Sequence, residues 1–183
     1  MINQAAFEAA RRGGNSVSVL DIENAKDKLQ LGHPRDNFSM PVSEAKKTAY
    51  HEGGHALIAL TTKGSMPIYK ATIMPRGSAL GYVYQVPEKD TIHMTNQQMQ
   101  ARIDVALAGR AAEEIIYGSD KITTGCSNDL EHATELIMHM IVDCGFSNLG
   151  IVNEEYTTMS DSKKYKVEKE AIAILHSSYQ RVR

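Results

Sequence analysis

Cysteine is scarce in this chain, with Cys126 and Cys144 the only two among 183 residues. Two such thiols exclude a disulfide framework, and they do not form a C-x-x-C redox or zinc-ribbon pattern. A charge excess is also missing. Lys and Arg number 20 against 22 Asp and Glu, so no strong field favours nucleic acid or an anionic membrane surface as a partner. Even the longest apolar runs, such as Ala56 to Leu60, fall far short of the ~20 residues of a membrane-crossing helix. No charged-then-apolar signal segment opens the chain, and there is neither an internal repeat nor a low-complexity tract. At 42% hydrophobic residues, the sequence has enough apolar material for one sizeable core and too little length for several full domains.

The pattern along the chain is mainly helical. Met1 to Arg12 consists of good helix formers and stops at Gly13-Gly14, and a second helical pattern runs from Leu20 to Leu31. Gly32 to Met40 contains proline and no apolar periodicity, so a domain boundary is expected there, with residues 33–40 as linker. Pro41 suits the first turn of an Ala-rich helix reaching about Thr61. Tyr69 to Val86 mixes alternating apolar positions with Pro75 and Gly77 and predicts a small β-hairpin. Gln97 to Tyr117 repeats apolar residues at three-and-four spacing, predicting an amphipathic helix that ends at Gly118. Another helix is expected from Ser127 or Asn128 to Asp143, and a last one from Lys163 to Arg183.

Within the helix after Pro41, His51-Glu52-Gly53-Gly54-His55 matches H-E-x-x-H. Histidines four apart on a helix lie within about 40° of one another, so both imidazoles can reach one metal ion. Zinc favours nitrogen ligands in tetrahedral geometry, and a catalytic site leaves one position for water, so one further protein ligand is needed. Glu52 is placed to act as general base. The bland alternative is a solvated helix face carrying two ordinary histidines. Against it, Gly53 and Gly54 lie mid-helix, where each costs about 1 kcal/mol relative to Ala. No histidine follows at the position where some relatives of this motif place a third ligand; Thr61, Thr62 and Lys63 stand there. Spacing leaves two candidates open, the Glu113-Glu114 pair and Asp129. Gly77 and Gly81 in the hairpin would allow close backbone approach, and an edge strand there could bind extended substrate through main-chain hydrogen bonds. His33, His93, His132, His139 and His176 read as ordinary solvated or hydrogen-bonded histidines.

TAYHEGGHAL, KATIMPRG, GRAAEEIIYG and TTGCSNDLEHAT, in this order and at these intervals, resemble the peptidase domain of FtsH-type AAA+ proteases. The wording of ATIMPRG looks most like the mitochondrial i-AAA branch. The resemblance extends from Met1 to Arg183 and implies a zinc metalloendopeptidase. It implies that His51, His55 and Asp129 hold one Zn2+, with Cys126 standing where Ala is common. Glu113 or Glu114 is then expected to support the ligands from behind. Residues 1–32 resemble the last helices of an ATPase lid, with residues 41–183 as peptidase domain, so the chain is expected to be part of a longer protein. No G-x-x-x-x-G-K-[ST] loop is present. An AAA+ module binding ATP, a membrane anchor, a homo-hexamer and unfolded polypeptide substrates are what the resemblance implies for the whole protein. The implied location is the mitochondrial inner membrane, with the bacterial inner membrane or chloroplast as alternatives. The segment from Phe146 to Met159 is shorter than the family pattern. A catalytically silent scaffold for hexamer assembly and a regulatory module with structural zinc are the competing functions.

Overall fold

The computed structural model describes residues 1–35, 38–77, 79–87 and 92–183. Parts of the expected linker (Asp36, Asn37) and of the expected hairpin turn (Ser78) lie outside them. The described residues form six α-helices, three single-turn 3-10 helices and one two-stranded antiparallel sheet: α1 (Ile2–Arg11), α2 (Val19–Leu31), α3 (Val42–Thr61), β1 (Ile68–Thr72), β2 (Tyr82–Gln85), α4 (Asn96–Tyr117), α5 (Ser127–Val142) and α6 (Asp161–Val182). The mainly helical class expected from the sequence holds, and each expected helix is present. Among the described residues no helix is long and apolar enough to cross a membrane.

Local chemistry fixes several helix starts. Ser18 and Asp21 form a capping box on α2, and Thr95 with Gln98 forms another on α4, so orphan N–H groups of the first turn are satisfied reciprocally. Asp21 also takes two hydrogen bonds from the Arg12 guanidinium, at 2.9 and 2.7 Å, which closes α1 onto α2. That guanidinium, together with the Ser18 hydroxyl and amide, holds the Asp21 carboxyl well below the usual carboxylate range.

Helix α4 departs from the amphipathic expectation. Its buried residues, among them Met99, Ile103, Val105, Leu107, Ala108, Gly109 and Glu113, lie on all sides of the helix. The reason is its place at the centre, with α3 against one side and α5 and α6 against the others. Its apolar face joins Ile137, Met140, Ile141 and Val167 in the main core. Burying a side chain of this kind stabilises by about 1.5–3 kcal/mol. On the α6 side, buried Asp104 accepts from Arg181 at 2.8 Å, and the Tyr179 hydroxyl donates to Glu114.

Tyr179 makes the α4–α6 contact sensitive to alkali. Burial, then the hydrogen bond to Glu114, push its phenol up to about 12. A phenol whose folded pKa lies above its unfolded value of about 10 contributes stability that is intact below pH 10 and is lost as pH rises towards 12. Urea unfolding is therefore expected to show a steeper fall in stability between pH 10 and 12 for the native chain than for Tyr179→Phe. Parallel curves for the two would contradict the shift.

Candidate metal centre

α3 carries His51, Glu52 and His55 along one side, and α4 crosses that side closely. The crossing depends on two glycines. A Cβ built on Gly54 would stand 2.5 Å from the Ala108 carbonyl oxygen and 2.7 Å from Ala112 Cβ. One built on Gly109 would stand 2.5 Å from both His51 Cε1 and His55 Nε2. Hydrogen atoms at these positions let the helices meet and let the imidazoles lie on the α4 backbone. Gly53 has nothing within 4 Å of its built Cβ, so of the two mid-helix glycines only Gly54 is required by packing.

The rings converge through one nitrogen each. His55 Nε2 stands 3.1 Å from His51 Nε2, and Asp129 Oδ2, from the first turn of α5, stands 3.1 Å from His51 Nε2 and 3.4 Å from His55 Nε2. Ligand atoms ~2.1 Å from a common tetrahedral centre stand about 3.4 Å apart, so the donor set has the dimensions of a zinc site. The other ring nitrogens are committed elsewhere. His55 Nδ1–H donates to the Val105 carbonyl at 2.6 Å, and His51 Nδ1–H donates to Glu113 Oε1 at 2.8 Å. These bonds fix the tautomer in which both Nε2 lone pairs face Asp129.

Glu113, 2% exposed, is held in turn by the Thr123 amide at 2.7 Å and the Thr123 hydroxyl at 3.2 Å. Its neighbour Glu114 points to the other side of α4 and meets Tyr179, Arg110 and Arg183. Adjacent helical residues are ~100° apart, and that angle separates the pair. Spacing could not single out Thr123 or the Val105 carbonyl. Thr123 does lie in the same TTGCSNDL block as Asp129, but a backbone acceptor leaves no trace in a side-chain pattern.

Burial, opposed by the nearby His55 and His51, pushes the Glu52 carboxyl up. Asp129 shifts the other way: although burial would raise it, a proton on the facing Nε2 atoms makes His51 and His55 donors to it, and in that state it is held at about 2. For His51, burial is outweighed by its bonds to Asp129 and Glu113, and the net shift is upward. The side chains open into a cleft of about 670 Å3, whose far wall includes Ala79, Leu80, Gly81, Tyr82 and Val83 of the hairpin. Gly81 lies directly on the base: a Cβ there would be 2.8 Å from Glu52 Cγ and 2.9 Å from Thr48 Cγ2. Gly77 sits at the hairpin tip with φ +55°, beside Gly32 and outside the cleft wall.

A helical domain that gathers two imidazoles, a carboxylate donor and a free carboxylate in a cleft has the composition of a hydrolytic metal centre. Residues 39–183 match the model of peptidase family M41, and the chain belongs to that family. It is 45% identical over its whole length to the ATP-dependent zinc metalloprotease FTSH 11, chloroplastic/mitochondrial, of Arabidopsis thaliana, covering 23% of that protein. It is 41% identical, again over its whole length, to the mitochondrial inner membrane i-AAA protease supercomplex subunit YME1 of Saccharomyces cerevisiae, covering 25% of it. The ATP-dependent zinc metalloprotease FtsH of Caulobacter vibrioides is likewise 41% identical, with 30% of its length covered. The chain thus spans about a quarter of the length of the curated relatives it matches.

The two glycines of the H-E-x-x-H helix should respond oppositely to a methyl group. Gly54→Ala is expected to destabilise by about 1–3 kcal/mol through overpacking against α4. Gly53→Ala, with open space and better helix propensity, should be neutral or stabilise by up to about 1 kcal/mol. Urea denaturation of the two variants checks the ranking, and equal effects would refute the packing argument.

Proposed function

We propose that the chain is the peptidase portion of an ATP-dependent zinc metalloendopeptidase, with His51, His55 and Asp129 holding one Zn2+ and Glu52 as general base. The observation that carries this reading is the convergence of two Nε2 atoms and one carboxylate oxygen within 4.8 Å, beside a carboxylate that is not one of the three donors. When bound, zinc would acidify water and polarise the scissile carbonyl. Glu52, its pKa lifted by burial towards the working range, takes the proton of the attacking water and passes it to the leaving amine nitrogen. Glu113 fixes the orientation of His51 without facing the donor cluster, and Thr123 fixes Glu113. Gly81, with no side chain, lets the hairpin edge come close against Glu52, which brings an extended peptide paired along that edge to the base. The hairpin tip, with Gly77, serves to hold that edge rather than to touch substrate.

For the whole protein we infer an upstream AAA+ module on the same chain that uses ATP to deliver unfolded or membrane-associated polypeptides. We also infer a homo-hexamer and a membrane anchor outside this segment, in the mitochondrial inner membrane, with the bacterial inner membrane or chloroplast as alternatives. The names of the relatives support the dependence on ATP and the organellar membrane location. The catalytically silent scaffold is disfavoured because Glu52 stands intact beside a full donor set.

Cleavage of unfolded casein with and without a chelator separates the catalytic reading from a silent scaffold and from a structural zinc module. Glu52→Gln should keep stoichiometric zinc and lose hydrolysis, because the ligands survive and the base does not. Turnover near the native rate in that variant would remove Glu52 from the mechanism.

Asp129→Ala should abolish tight zinc binding, since two remaining ligands rarely hold the ion. Glu113→Ala should cost about 10-fold to 100-fold in affinity or activity, the range for groups that orient a ligand. Metal analysis of folded variants decides the ranking; full zinc in Asp129→Ala with none in Glu113→Ala would reverse the assignment.

A further inference from the structure

Helix α2 reaches the wall of the cleft through buried charge. Asp27, 3% exposed, accepts from Lys70 of β1 and, at 3.5 Å, from the Arg76 guanidinium, which is itself 8% exposed. Arg76 Nη1 also donates to the Gly32 carbonyl at 3.0 Å, just past the end of α2. The backbone continues the connection. Arg76 makes an antiparallel bridge to Pro34 on one side and to Ala79 on the other. The second bridge closes through Arg76 N–H to Ala79 O and Ala79 N–H to Arg76 O, both 2.9 Å. Arg35 N–H adds a bond to Pro75 O at 2.9 Å. Two residues beyond Ala79, Gly81 rests on the Glu52 side chain.

A buried ion cluster is weak evidence for stability, because desolvation offsets most of the attraction. Here the Arg76 Nε and the Tyr82 hydroxyl are buried nearby with no hydrogen-bond partner among the described residues, which adds to the cost. What such a cluster supplies is direction: one carboxylate fixes where β1 and the hairpin tip sit relative to α2. We propose that Asp27 and Arg76 are positioning residues for the cleft, tying the α1–α2 unit to the edge formed by Ala79 and Gly81 over Glu52. Displacing α2 then loosens the surface on which an extended substrate lies, while the donor atoms on α3 and α5 stay in place. The effect on substrate rests on the metallopeptidase reading, whereas the mechanical tie does not.

Hydrogen exchange on the full chain tests the tie. Asp27→Asn keeps the shape and removes the charge. It is expected to speed exchange about tenfold at Arg76, Ala79 and the β1 and β2 amides, with α4 and α5 unchanged. Arg76→Gln should do the same from the other end, and the double variant should fall well short of the sum of the two, since both break the Asp27–Arg76 contact. Asp21→Asn, which weakens the α1–α2 closure without touching the cluster, should leave the hairpin amides at the native rate. With zinc content unaltered, Asp27→Asn should raise KM for a casein-derived peptide about tenfold and change kcat little. Native exchange at the hairpin in Asp27→Asn, additive effects in the double variant, an equal loosening by Asp21→Asn, or faster exchange throughout α4 and α5 would each overturn the proposal. If the native chain neither holds zinc nor cleaves casein, the peptidase reading fails and the exchange results still decide the tie.

Discussion

The close crossing of α3 and α4 is the contact on which the site depends. Side chains normally hold packed helix axes 8–10 Å apart. Gly54 and Gly109 remove those spacers at one point, and the Ala108 carbonyl and the two imidazoles occupy the room released. With a methyl group at Gly109 the rings would have to tilt out of the orientation in which their Nδ1–H groups meet Glu113 and Val105. Backbone approach, ring orientation and donor convergence are consequences of the same close contact.

That dependence explains which parts were legible in the sequence. Helix periodicity and caps act locally, so α3 from Val42 to Thr61, α4 to Tyr117 before Gly118 and α5 from Ser127 emerge where the residues predict them. His51, Glu52 and His55 are legible for the same reason, being separated by one helical turn. Asp129 was one of two candidates until the motif resemblance favoured it, because a contact across 78 residues has no spacing signal. Gly53 and Gly54 look identical in sequence and differ only in what faces them. The amphipathic reading of α4 gave way because a helix covered on several sides buries even its Asp104 and Glu113, using Arg181, His51 and Thr123 as partners. The link from α2 to the hairpin leaves no spacing signal either, because it runs through Asp27, an acidic residue 43 positions before Lys70 and 49 before Arg76.

The charge arrangement around the imidazoles adds a separate constraint. Glu52, Glu113 and Asp129 bring three carboxylates to two rings whose Nδ1 protons are already committed. With neutral rings this cluster carries three negative charges in a space partly closed to water, which favours either a proton or a cation. The carboxyls are not equivalent in this respect. Asp129 faces both Nε2 atoms, and when a proton occupies them their hydrogen bonds hold its carboxyl at about 2, while Glu52 has no hydrogen-bond donor of its own among the described residues and is raised by burial. A divalent cation at the three converging donors would compensate the charge where Asp129 and the rings meet, leaving Glu52 as the carboxylate with an uncommitted lone pair and an elevated affinity for a proton. The features that make the donor set a metal site therefore also separate the residue that would hold the metal from the residue that would move the proton.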